Sequence, residues 1–103
     1  MLKVMSLMKR RDDMTLDEFR HWAQVDHPLL GKKLPGMRSY RMSVVIEENP
    51  DWPFDAVSEF FFDDKDAMVA AFATPAGKAA GEDAAAHCSR RVRLLTEEHI
   101  ILP

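Results

Sequence analysis

Cysteine is nearly missing from this chain. Cys88 is the only one in 103 residues, so no internal disulfide can form, which suits a reducing compartment. Long apolar runs are missing as well, and none approaches the ~20 residues that cross a bilayer. The opening MLKVMSLMKRR carries its charges after its apolar run and offers no small-residue cleavage site, so it is not expected to be a signal peptide. HExxH and CxxC spacings are absent among His21, His27, His87, Cys88 and His99, and no metal is expected. Glycine-rich phosphate loops and nucleophile elbows are lacking, and no cofactor is expected. Basic residues are dispersed within a net charge of −3, which argues against a nucleic-acid partner. The expectation is a cytoplasmic protein without a membrane partner.

What remains reads as one domain spanning residues 1–103, with an ordinary globular share of 47% hydrophobic and 30% charged residues. Residues 2–9 are apolar on both sides, which suits a strand covered on both faces. Residues 37–47 and 54–62 alternate as two further strands. Asp63-Asp64 caps a short helix running through Ala71 and Phe72. Thr74-Pro75 reads as an N-cap followed by a first-turn proline, and it opens a second helical segment rich in Ala and Gly. Residues 91–102 form the last expected strand, with Val92, Leu94, Ile100 and Ile101 supplying bulk. The order β-α-β-β-α-β predicts an α+β, ferredoxin-like protomer. Its four-stranded antiparallel sheet carries helices on one face. Apolar residues on both faces of several strands predict that the other face packs on a second copy, giving a homodimer.

The stretch MTLDEFRHWAQVDHPLLGKKLPGMRSY, residues 14–40, concentrates the functional signals. Thr15 and Glu18 form a capping box at a helix start. A turn of about 100° per residue places Leu16, Phe19, Ala23, His27 and Leu30 on one inward stripe, with Asp26 at its edge. Pro28 cannot donate a hydrogen bond and disfavours helical geometry at His27, so a kink or a helix end is expected there. Leu34-Pro35-Gly36 predicts a tight turn before the second strand.

These segments resemble the EthD family of dimeric α/β-barrel proteins. The resemblance is carried by Phe19, Trp22, the His27-Pro28-Leu29 triplet, Pro35-Gly36 and Tyr40. Later stretches add Asp55, Glu59, Phe61, Pro75, Gly77 and Asp83. It implies a dimeric barrel with a small pocket between each sheet and its helices. Members are associated with a cytochrome-dependent ether-degradation system or resemble cofactor-free isomerases of methylated muconolactones, dehydratases and decarboxylases. In the isomerase-like members the histidine matching His27 is a proposed acid/base, assisted by a second histidine and a cysteine. This chain has no histidine from Pro28 to Ala86, and Phe60 stands at the cysteine position.

His27 is the leading catalytic candidate, because an unperturbed imidazole titrates near neutrality and can take and return a proton. Tyr40 could donate to a carbonyl or enolate; the alternative is a strand aromatic with its hydroxyl at a rim. Glu59 sits within the apolar run VSEFFF and could orient His27 or Arg41, act as a base, or simply pair structurally. Trp22, Leu30, Met42, Phe61 and Phe72 are candidates to line a ligand pocket, against plain core packing. His87, four residues after Asp83, is a candidate second pocket histidine, against a helix-end residue. Three functions follow. One is a cofactor-free enzyme acting on a small, partly apolar, carbonyl-bearing metabolite. The others are a non-catalytic binding or accessory protein of an oxidoreductase system, and a haem-binding barrel.

Overall fold

Strand alternation and helix caps fix most of the architecture. A computed structural model describes all 103 residues. Strand β1 spans Leu2–Arg10, β2 Ser39–Val44, β3 Ala56–Phe62 and β4 Cys88–Thr96. They form one sheet in the order β2-β3-β1-β4, every pair antiparallel. Helices α1 (Leu16–His21) and α2 (His27–Gly31) flank a π-helical turn, Trp22–Asp26, while α3 (Lys65–Ala73) and α4 (Pro75–His87) follow β3. This is the expected split βαβ arrangement.

Of the kink or helix end expected at His27, the chain takes a distorted continuation, and the helical run reaches Gly31. Pro28 has no N–H for the carbonyl of Gln24, and the chain answers by widening one turn: the His27 N–H bonds the carbonyl of Trp22, five residues back. Strand β2 is shorter than expected, at Ser39–Val44. Strand β4 starts at Cys88 and stops at Thr96, leaving Ile100, Ile101 and Leu102 exposed outside any strand.

The caps are those the sequence encodes. Thr15 and Glu18 form both halves of the capping box, Asp64 caps α3 through Ala67 N–H, and Thr74 caps α4 through Gly77 N–H. Gly36 takes a positive φ of 76° in the Leu-Pro-Gly turn, a conformation that favours glycine.

The register decides which residues meet the helices. Val4 pairs with Phe60, Ser6 with Ser58 and Met8 with Ala56, all on the helix-covered face. Two apolar clusters form there. Val4, Leu34, Phe60, Phe62 and Met68 anchor one; Met8, Phe19, Trp22, Ala23 and Ala56 anchor the other. Between them the facing pair is Ser6 and Ser58, too small to fill the seam. The opposite face carries Met5, Leu7, Val57, Phe61, Val92 and Leu94, interspersed with Lys3, Arg41 and Glu59. No helix covers it, and Leu94 is 45% exposed.

Candidate functional site

The unfilled seam is a cavity of about 50 Å³ between the sheet and the helices. A space of this size exceeds the ~10–15 Å³ that one water requires. Met8, Leu34, Phe60 and Phe72 give it apolar walls, while Ser6, Ser58, His27 and Tyr40 add polar groups. Arg91 and Arg93 line it from the edge strand β4.

His27 is held by a network that crosses the fold. Its Nδ1 lies 2.9 Å from Asp83 Oδ2 on α4. Trp22 Nε1 donates to the same oxygen at 3.0 Å. A carboxylate only accepts, so Nδ1 carries a proton, and in the neutral ring Nε2 is then the nitrogen with the lone pair. The π turn sets this geometry. Residues five apart in an α-helix point about 140° away from each other, whereas here the Trp22 and His27 rings lie 4.7 Å apart. His87 stacks on Trp22, also at 4.7 Å between centroids. Its Nδ1 donates to the backbone carbonyl of Asp83 at 2.7 Å, which anchors the α4 turn that carries the carboxylate.

Tyr40 packs its ring against Gly31, where an added Cβ would meet the ring and hydroxyl at 3.0 Å. Burial pushes its phenol up to about 12, so it stays a hydrogen-bond donor through the whole neutral range. It is the only tyrosine, which makes its titration directly readable. Tyrosinate absorbance should rise with a midpoint near 12 in the folded protein and near 10 once denatured. The folded state thus holds the proton more tightly, so its stability contribution is full below pH ~10 and is lost as pH rises through ~12. A folded-state midpoint near 10 would show the phenol to be solvated.

The other expected site residues divide clearly. Phe72 lines the cavity. Trp22 and His87 do not; they support His27 from behind. Leu30 packs against one apolar cluster and Met42 against the other, away from the lining. Glu59 and Phe61 point to the opposite face of the sheet from His27, so of the roles open to Glu59 the structure favours pairing with Arg41 over orienting His27. Glu59 is the cross-strand partner of Arg41 and lies 3.6 Å from Lys3 Nζ. Asp83 takes the orienting role instead. Cys88 is half-buried, and burial raises its thiol to about 11, which keeps it a thiol rather than a nucleophile at neutral pH. No three His, Cys, Asp or Glu side chains converge in a way that could hold a metal ion.

The arginines were not anticipated. Strand pairing puts Arg91 opposite Met8 and Arg93 opposite Ser6, on the helix-covered face. The sequence signal was the alternation Arg-Val-Arg-Leu, which places two charges on one side of a strand.

A split βαβ sheet with a small cavity under its helices, and a tethered histidine in the cavity wall, defines a ferredoxin-like α+β protein with a built pocket. Residues 11–89 match the EthD domain model, and the chain belongs to the EthD family. Among solved structures it is similar to an EthD family protein from Bacillus halodurans, with TM-score 0.81 and 25% identity over 96% of this chain and 99% of that one. A dimeric ferredoxin-like protein from Thermobifida fusca matches with TM-score 0.75 and 18% identity, over 92% of this chain and 88% of that one. A hydroxynitrile lyase from Passiflora edulis matches with TM-score 0.76 and 13% identity, over 99% of this chain and 96% of that one. No curated protein matches the chain.

Proposed function

We propose that the protein is a homodimeric, cofactor-free enzyme that moves a proton on a small, partly apolar, carbonyl-bearing metabolite. The observation that carries this reading is the His27–Asp83 pair, with Nδ1 tied at 2.9 Å and the ring in the cavity wall. His27 Nε2 takes a proton from the carbon next to the carbonyl. The Tyr40 hydroxyl donates to the oxygen on which charge develops, and the imidazolium returns the proton to a second position. Return of the proton to another carbon completes an isomerisation; its delivery instead to a β-hydroxyl, whose C–O bond breaks as the C=C bond forms and water leaves, is a dehydration. One similar structure is named a hydroxynitrile lyase; at 13% identity that likeness supports the fold as a host for such chemistry, not a residue role.

The dimer reading is supported by the uncovered apolar face and by the dimeric naming of the Thermobifida fusca relative. Light scattering on the eluting protein should give twice 11.8 kDa. A single-chain mass at micromolar concentration would overturn the sheet-on-sheet arrangement. The catalytic reading is tested by screening small ketones, lactones and hydroxy acids for turnover with the wild type and His27→Ala side by side. Turnover that disappears with His27 supports it, and turnover that survives overturns it.

A further inference from the structure

The cavity wall formed by β4 carries charge that nothing in the protein neutralises. Arg91 and Arg93 both line the cavity. Neither takes part in an ion pair, although ten such pairs form elsewhere in the chain. Arg91 reaches only the carbonyl of Gly81, at a long 3.4 Å. The Arg93 guanidinium carbon lies 4.2 Å from the Phe72 ring centroid. A cation–π contact of this kind leaves the guanidinium N–H groups without an acceptor. A second, open cleft shares Ser6, Arg91 and Arg93 with the cavity, so the two arginines border both spaces. Neither space is lined by an aspartate or glutamate. β4 is an edge strand, which sets the arginines at the border of the sheet.

We propose that Arg91 and Arg93 form a carboxylate-binding subsite at the cavity mouth, so that the ligand is a small oxo- or lactone-acid. Its carboxylate sits on the two guanidiniums while its carbonyl end enters among Tyr40, His27 and Phe60. Two guanidiniums lining the same space suit the planar, bidentate geometry of a carboxylate. The apolar walls behind them suit a short carbon skeleton. The inference rests on the proposed pocket chemistry only for the orientation of the ligand; the anion site stands on the arginines.

The test titrates the intact protein with 4-oxopentanoate and with its methyl ester, followed by the arginine Nε–H and histidine ring signals in NMR spectra. The acid should bind roughly tenfold or more tighter than the ester, and the preference should shrink as salt rises. Arg91→Gln and Arg93→Gln should each weaken acid binding and leave ester binding unchanged, and the double variant should remove the preference. Arg38→Gln removes the same charge at an exposed pair with Asp63 and should change nothing. Equal binding of acid and ester, no saturable acid binding, or an equal loss in Arg38→Gln would overturn the proposal. The wild-type comparison decides the matter even if a variant misfolds. Inorganic phosphate that displaces the acid at equal concentration would reduce the pair to a general anion sink and also overturn it. Exchange of the probe's α-protons in deuterated water separates the two readings. Acid preference without His27-dependent exchange keeps the subsite and removes the acid/base role; His27-dependent exchange without acid preference does the reverse.

Discussion

Replacing His27 by alanine should lower turnover by roughly 10²–10⁴-fold, the range that a positioned acid/base supplies. The loss should fall on kcat, because the apolar walls and the β4 arginines that hold the ligand stay in place. Asp83 would keep the Trp22 indole as a donor at 3.0 Å, so the variant should fold. His27→Gln is the sharper companion, since it retains a donor for Asp83 but has no ring nitrogen to accept a proton. Asp83→Asn should also reduce kcat with little change in KM, for a different reason. An asparagine amide can present N–H to Nδ1, which permits the tautomer whose proton sits on Nε2. Stopped turnover in His27→Ala with an unchanged melting curve supports the role; unchanged turnover in a folded variant removes it.

The second large effect is on stability. Gly77→Ala should destabilise the fold by about 3 kcal/mol, at the upper end of overpacking effects, a fall in melting temperature of roughly 10–20 °C for a domain of this size. Thr74 ends α3 and also caps α4, so the two helices turn on one residue. A Cβ at Gly77 would lie 2.5 Å from the Ala71 carbonyl oxygen and 2.5 Å from the Phe72 Cα. Both are backbone atoms and cannot swing aside. Gly81→Ala, four residues on in the same helix, is the control. A Cβ there meets nothing within 4 Å, and a helix-interior glycine replaced by alanine gains roughly 0.5–1 kcal/mol. Thermal unfolding of the two variants should therefore shift in opposite directions. A neutral Gly77→Ala would mean that α3 and α4 can separate without penalty. Phe72 walls the cavity, so movement of α3 should also weaken ligand binding.

Local signals were legible because their physics is local. The capping box at Thr15, the Asp64 cap and the Thr74-Pro75 start each need only a few neighbouring residues, and all three form. His27 could be placed inward because helical spacing links it to Leu16, Phe19 and Ala23. Asp83 could not be tied to it, since the pair is separated by 56 residues and meets only through the packing of α4. For Glu59 the sequence leaves His27 and Arg41 both open as partners, although its alternation with Phe60 and Phe62 sets it on the other side of β3 from them. With apolar residues on both faces of that strand, hydrophobicity did not say which face the helices would cover. Arg91 and Arg93 fall within the expected last strand, but Val92 and Leu94 carry its apolar signal, and arginines alternating with them read equally well as a solvated face. The cavity itself depends on Ser6 meeting Ser58 across a strand pair, a long-range register that no short window contains.

The widened turn at Trp22–Asp26 is a place where the chain absorbs one residue more than an α-helical turn holds. Gln24 and Val25 are exposed, and what they contribute is spacing. Substitution there leaves the Trp22-to-His27 interval intact. Loss of a single residue would bring that interval to four, which an ordinary α-helical pitch sets about 40° apart on one face. Drift in residue type at these positions, and the loss of one of them, are therefore both compatible with Trp22 and His27 facing the same side.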